Sequence, residues 1–292
     1  MRTRLVWRAM ETMSKGASRD PIAIRDRAVD ALRRRCEVAP TTAIILGSGI
    51  GGLADKIQEP TIVPFAQIPG FVSSTAGGHR GALIVGHLAG QPVVAMAGRL
   101  HRYEGWTNDQ VVFPVHVMAA LGAVNLIVSN AAGGLNPRLR VGDLVIIRDH
   151  INWLGGCFLD FPIATHPLTR QAEIYDARWS AVAMRAAIEG RFNALPGTYL
   201  ATLGPNYETR SEYRMMRRLG ADVAGMSTVI EVLAAASLNM RVLGISMVSN
   251  VANPDRPQAT NHAEVLEAGR SAEVKMEAVV RAVLTDDESA RI

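Results

Sequence analysis

The sequence predicts an α/β domain built around a substantially parallel sheet. Three observations predict it. Short apolar, β-branched runs recur at 43–46, 61–65, 82–88, 92–97, 124–129, 143–148, 198–202, 222–226 and 241–249, each of strand length. Helix-period patterns at 21–36, 108–121, 176–191, 209–219, 228–239 and 262–284 lie between several of them, and that alternation is the pattern of a sheet covered by helices. No repeat, low-complexity tract or long linker divides the 292 residues, enough chain to bury one large core.

The chain begins with a basic arm, residues 1–20, ahead of a single domain at 21–285 and a short tail at 286–292. The first 35 residues hold ten Lys and Arg against four Asp and Glu, and the remainder is slightly acidic. The net charge of +4 therefore comes from the arm and the amphipathic helix behind it. No basic stripe interleaved with aromatics follows, so no nucleic-acid partner is expected. Met10 and Met13 offer alternative translation starts. The opening residues lack the apolar core of a secretory signal, and no apolar run approaches the ~20 residues that span a bilayer. Cys36 and Cys157 are too few for a disulfide framework or a cysteine-only zinc site. A cytoplasmic protein without membrane contact and without a metal is the expectation.

The first strand feeds a glycine turn, "ILGSGIGGLAD", in which Gly47, Gly49 and Gly52 fit G-x-G-x-x-G. A dinucleotide site also needs an Asp or Glu roughly 20 residues on, for the ribose hydroxyls. No acidic residue occurs between Pro60 and Tyr103, so that reading fails. What remains is either a plain tight turn or a strand–turn–helix that offers backbone N–H groups and the Ser48 hydroxyl to an anion. The same acid-free stretch carries His79, Arg80, His87, Arg99, His101 and Arg102, and a basic segment with no competing carboxylate suits a free phosphate ion.

Further along, small and polar residues gather after predicted strands: Asn130 to Gly134, Met226 to Thr228, and Ser249 with Asn250. Each alone reads as a strand-end turn. Together they fit the edge where open α/β sheets bind ligands, beyond the carboxyl ends of the strands. Trp153 to Ala172 reads as a long loop, and such loops are often functional. "AGRLHRYEGW" concentrates Arg99, His101 and Tyr103: Arg grips phosphate through two donors, His donates to it, and Tyr offers an aromatic wall with a hydroxyl. Thr228 and Glu231 have capping-box spacing, which assigns Glu231 a structural role and places Ser227 and exposed amides at a helix N-terminus. Asn261 and Glu264 read as another cap, which leaves His262 unexplained.

These segments, with "VSNAAGGLNP", "VGDLVIIRDHIN", "GPNYETRSEYRMMRRLGADVAGMSTVIEV" and "NHAEVLEAG", resemble the trimeric, 6-oxopurine-specific purine nucleoside phosphorylases, in that family's order from about residue 22 to 283. The resemblance implies a single-domain phosphorylase/hydrolase-like fold with a mixed, partly barrel-like central sheet flanked by helices. It implies a homotrimer, and makes the glycine loop a phosphate loop.

By the same resemblance, phosphate would be held by Ser48, Arg99, His101, the Ala131 amide and Ser227, with His79 on the phosphate side. Ribose would lie on Tyr103 and Met226, with His262 reaching its 5′-hydroxyl. The purine would meet Tyr207 on its face or edge, Glu208 at N1–H and Asn250 at N7 and the 6-oxygen, in a slot lined by Ala132, Gly133, Ala224 and Ser249. Asn250, Glu208, His101 and His262 would carry the chemistry. The implied reaction is reversible phosphorolysis of purine nucleosides in purine salvage, with phosphate as co-substrate and no other cofactor.

The chain departs from the family where "WLGGCFLDFPIATHPLTRQAEIYD" replaces a "GPND" motif, and Phe158 or Phe161 becomes the candidate for an aromatic donated to the neighbouring subunit. Ser249 stands for a frequent threonine, and Ile230 for a frequent proline. Methylthioadenosine phosphorylase, the sister family, usually has aspartate at the place of Asn250 and serine at that of Glu208, so the sequence votes against it twice. A non-catalytic nucleoside-binding protein fits poorly with an intact set of Arg99, His101, Glu208 and Asn250.

Overall fold

The computed structural model describes residues 20–47, 51–73, 80–155, 173–255 and 262–286, with the backbone alone for 262–264. Nine strands form one sheet: β1 (Thr42–Leu46), β2 (Gln58–Pro64), β3 (Ala82–Leu88), β4 (Gln91–Ala97), β5 (Asn125–Gly134), β6 (Leu144–Asn152), β7 (Ala194–Ala201), β8 (Val223–Gly225) and β9 (Arg241–Val251). Six helices accompany them: α1 (Pro21–Arg33), α2 (Asn108–Leu121), α3 (Ala177–Glu189), α4 (Arg210–Arg218), α5 (Val229–Ser237) and α6 (His262–Leu284).

The strand order is β2-β3-β4-β1-β5-β8-β7-β6-β9, and β9 returns to pair with β5. The last five strands therefore close into a barrel, and the first four form a wing that joins it at β5. This is the mixed, partly barrel-like sheet that the family resemblance implied. The sheet is less parallel than the helix–strand alternation alone predicts. Antiparallel pairings join β2 to β3, β3 to β4, β5 to β8 and β6 to β9.

Period-two side-chain alternation explains the layers. In β1, Ala43 and Ile45 enter one core with α1, α2 and α5, while Ile44 and Leu46 enter a second with α3 and α6. Helix starts follow side-chain caps. Asp20 caps α1 ahead of Pro21, Asp176 caps α3, and capping boxes pair Thr107 with Gln110 and Thr209 with Glu212. After the glycine turn the chain forms a short 3₁₀ segment, Gly51–Lys56, in place of the expected α-helix.

Strand β5 decides where a ligand can enter. Its first half pairs with β1 up to Val128, and its end pairs with β8 from Gly133. On its other side β9 follows it throughout, with one extra β9 residue, Ser249, inserted between the partners of Ala132 and Gly133. Such a bulge re-aims the side chains beside it. The Asn130–Gly134 cluster thus lies inside a strand rather than beyond its end. Between the two pairings, Ser129 to Ala132 have no strand partner on one side.

Gly47 closes this gap at its β1 end. A Cβ there would lie 2.7 Å from the Ser129 carbonyl oxygen and 2.8 Å from Asn130 Cα, both backbone atoms that cannot step aside. Gly47→Ala should lower unfolding stability by about 1–3 kcal/mol; urea denaturation at the wild-type midpoint would contradict this account of the β1–β5 junction.

Candidate active site

A cavity of about 300 Å³ opens along the unpaired side of β5. Arg99, His101, Ala131 and Ser227 line it, as do Tyr103 and Met226. So do the residues expected around a base: Ala132, Gly133, Tyr207, Glu208, Ala224, Ser249 and Asn250. Ser48, His79, Phe158 and Phe161 lie outside the described residues, as does the side chain of His262.

Arg99 follows β4, is 1% exposed, and spans from β5 to α5. Its Nε and Nη2 donate to the two carboxylate oxygens of Glu231 at 3.1 and 2.9 Å. Its Nη1 donates to the Ser129 carbonyl at 2.9 Å and to Ser227 Oγ at 3.0 Å. Four of the five guanidinium N–H groups are thus used within the protein. One N–H on Nη2 remains for a ligand, so the expected two-donor grip on phosphate is not what this geometry offers. Ser227 Oγ accepts from Arg99 and also lies 3.2 Å from Thr228 Oγ1. Glu231 does form the expected capping box, accepting from the Thr228 amide at 3.0 Å, but sequence spacing gave no sign of its ion pair with Arg99.

The start of α5 corrects a second expectation. The Ser227 amide donates to the Tyr199 hydroxyl at 3.2 Å, the Thr228 amide to Glu231, and the Val229 amide to the Ser227 carbonyl. These helix-start N–H groups are already claimed, and the Ser227 hydroxyl is what faces the cavity. Thr228, at φ 77° and ψ −54°, is the centre of a γ-turn, a positive-φ conformation rare for a β-branched residue. It is held there by the capping box and by Asn130 Nδ2, which donates to Thr228 Oγ1 at 2.9 Å.

Alternation along β5 supplies the backbone donor. Ser129, Ala131 and Gly133 turn their peptide groups to the same side of the strand. The Ser129 carbonyl goes to Arg99 and Gly133 pairs with Ala224 on β8. The Ala131 N–H between them points to that same side, where Ala131 lines the cavity.

His101 is oriented by Glu104, whose Oε1 lies 3.0 Å from its Nδ1 and 2.8 Å from its amide nitrogen. A carboxylate on Nδ1 holds the proton there and turns Nε2 to the other side of the ring. The ring stacks on Tyr103 at 4.7 Å between centroids. Burial, and then the Glu104 charge, raise the Tyr103 phenol above its usual value, so it stays a hydroxyl. The other basic residues of the acid-free stretch go elsewhere. Arg80 pairs with Asp55 at 2.6 Å, His87 with Glu59 at 3.6 Å, and Arg102 with Asn108. Folding thus supplies the carboxylates that this stretch lacks locally.

At the far end, Glu208 Oε1 accepts from Thr202 Oγ1 at 2.9 Å. Asn250 Oδ1 accepts from Ser249 Oγ at 2.9 Å, which leaves Nδ2 as the donor of that amide. Gly204, at φ 69°, brings the loop before Glu208 against Met226 and Tyr103; a Cβ there would lie 2.3 Å from Met226 Sδ. Asn130, from the strand-end cluster, also lines the cavity; sequence reasoning missed Pro205, Tyr213, Gly225 and Val265 in its lining, and Glu104, Tyr199 and Thr202 behind it. Glu104, three residues after His101, was the one with a readable spacing. Among the described residues no group of three or more His, Cys, Asp or Glu could hold a metal ion, and no helix is long and apolar enough to cross a membrane.

The family model for the phosphorylase superfamily matches residues 41–285. Purine nucleoside phosphorylase 1 of Bacillus subtilis (strain 168) is 42% identical over 266 residues, covering 90% of this chain and 98% of that protein. The chain belongs to the phosphorylase superfamily, among the purine nucleoside phosphorylases. The purine nucleoside phosphorylase of Rattus norvegicus is 40% identical over 265 residues, covering 87% and 91% of the two chains. A crystal structure of Schistosoma mansoni purine nucleoside phosphorylase in complex with inosine matches with a TM-score of 0.82 at 34% identity, covering 91% and 96%. The β5 fork and the barrel of this chain are therefore a phosphorylase fold, as the sequence resemblance implied.

The Arg99–Glu231 pair gives this phosphorylase site a testable weakness. Both side chains are at most 2% exposed, and removing one partner of such a pair leaves a buried charge uncompensated. Glu231→Ala should destabilise the fold by about 3–5 kcal/mol. An unchanged midpoint in chemical denaturation would show that Arg99 does not depend on Glu231.

Proposed function

We propose that the protein catalyses reversible phosphorolysis of 6-oxopurine nucleosides, inosine and guanosine and their deoxy forms. The products are the free purine and (deoxy)ribose 1-phosphate. The observation that carries this reading is that one cavity is lined both by the donors Arg99, His101, Ala131 and Ser227 and by Glu208 with Asn250. On this reading the first four form an anion end, and Glu208 with Asn250 form a base end. Tyr103 and Met226 lie between them as the ribose wall. Ser48 and His79 complete the phosphate site, and His262 reaches the 5′-hydroxyl, by the same family reading.

The chemistry follows from where charge develops. As C1′–N9 breaks, the sugar becomes oxocarbenium-like and phosphate beneath it supplies the compensating negative charge and the new C1′–O bond. Because Glu231 already matches Arg99, the anion end is built largely from fixed dipoles and hydroxyls that need little reorganisation. The departing purine gathers negative charge at N7 and the 6-oxygen, where Asn250 Nδ2 donates. Glu208, as a carboxylate, only accepts, which fits the N1–H of a 6-oxopurine and opposes the bare N1 of adenine. Preorganised donors aimed at developing charge are typically worth ~3–4 kcal/mol each, and a mismatched buried polar contact costs ~1–3 kcal/mol.

Phosphate as co-substrate without another cofactor, a cytoplasmic location and a homotrimer belong to the same reading. Trp153, Leu203 and Tyr207 are 52%, 47% and 46% exposed, three large apolar side chains on loops that follow β6 and β7, which suits burial against a neighbouring subunit.

Assay of inosine, guanosine and adenosine, each with and without phosphate, tests the activity. Inosine and guanosine should exceed adenosine by orders of magnitude in kcat/KM, and only with phosphate present. Full-rate cleavage in phosphate-free buffer would mean a hydrolase. Ser227→Ala should raise the KM for phosphate about tenfold, the loss of one hydrogen bond to a charged group, with a smaller change for the nucleoside. Light scattering should give three times the chain mass at working concentration, and a monomer would remove the trimer.

A further inference from the structure

Glu208 lies between β7 and α4, one residue before the α4 cap Thr209, so no ladder or helix fixes its side chain. Two neighbours lie beside it. Thr202 is anchored just past β7, its amide donating to the Gly225 carbonyl at 2.8 Å, and its hydroxyl donates to Glu208 Oε1 at 2.9 Å. Tyr213, in the first turns of α4, lines the same cavity, with its phenol close beside Glu208. Burial, and then the Glu208 charge beside it, push the Tyr213 phenol up, so it remains a hydroxyl next to that carboxylate.

We propose that Thr202 and Tyr213 are positioning residues for base specificity, which together fix the Glu208 carboxylate as an acceptor at the purine edge. A carboxylate has about four lone-pair sites. On this proposal the hydroxyls of Thr202 and Tyr213, on separate elements, donate to two of them and set the plane of the group. The remaining sites face the cavity and suit N1–H together with a hydrogen or an amino group at the adjacent C2. Without these donors the side chain can rotate, and its preference for N1–H over a base lacking that donor weakens. Tyr213 also packs α4 against Leu135, Leu200 and Ala224, a structural role that the test must separate from positioning.

The proposal rests on the purine-nucleoside reading of the site. The test is calorimetric titration with hypoxanthine, which carries N1–H, and with unsubstituted purine, which does not, both in the presence of phosphate. Thr202→Val and Tyr213→Phe should each lower the ratio of hypoxanthine to purine affinity about tenfold, the scale of one hydrogen bond to a charged group, while Thr202→Ser keeps the wild-type ratio. The KM for phosphate should stay at its wild-type value in both. Affinities that fall together at a constant ratio would show a packing role only and overturn the proposal. Failure of the unmodified protein to bind hypoxanthine at all would overturn the reading beneath it.

Discussion

Strand β5 cannot pair with β1 and β8 over the same residues. β1 leaves it at Val128 and β8 joins it at Gly133, and the peptide groups between must be satisfied by something else. Buried backbone groups without partners are costly, so the protein fills the gap from both sides. Gly47 donates to Ser129 Oγ, Arg99 to the Ser129 carbonyl, and Asn130 turns its side chain to Thr228. One stretch of strand edge stays open, and there the cavity forms. The fork that joins an open wing to a closed barrel is thus also the reason a ligand can reach the backbone.

Arg99 and Glu231 show how that opening is kept in shape. An ion pair this deep is not a strong source of net stability, because desolvation offsets the attraction. Its value here is geometric. Glu231 binds Arg99 from one side and the Thr228 amide from the other, so the end of β4, the start of α5 and the middle of β5 are fixed relative to one another. The positive φ of Thr228 is tolerated because Glu231 and Asn130 hold it from two sides. On the proposed reading, a phosphate arriving at this site would meet donors already in place and an arginine already neutralised, an arrangement that favours turnover over permanent capture of the anion.

Much of this was legible in the sequence. The nine strand runs and the six helix-period patterns all form, because their period-two and helical patterns match the cores, while the helix expected after the glycine turn is a short 3₁₀ segment; the quoted motifs and the Ser249–Asn250 cluster supply Arg99, His101, Tyr207, Glu208, Ser227 and Asn250 to one cavity. What local pattern could not show was pairing across the chain. The absence of acids from Pro60 to Tyr103 suggested uncompensated basic residues, yet Asp55, Glu59, Glu104 and Glu231 reach those side chains or their neighbours from before and after the stretch. Glu231 lies 132 positions from Arg99, and no spacing rule links them. The helix-start amides of α5 looked available because a capping box predicts where a helix begins, not that Tyr199 will take the amide before it. Thr202 lies outside the quoted motifs and Tyr213 had no assigned role within them, and their relation to Glu208 exists only once β7 and α4 converge.

The most direct measurement is a crystal structure with phosphate and hypoxanthine bound. The account predicts the anion on the Ala131 N–H, the Ser227 hydroxyl and a single Arg99 N–H, with the bidentate Arg99–Glu231 pair unchanged. An Arg99 that had left Glu231 to grip the phosphate with two donors would contradict the claim that the site is built before its ligand arrives.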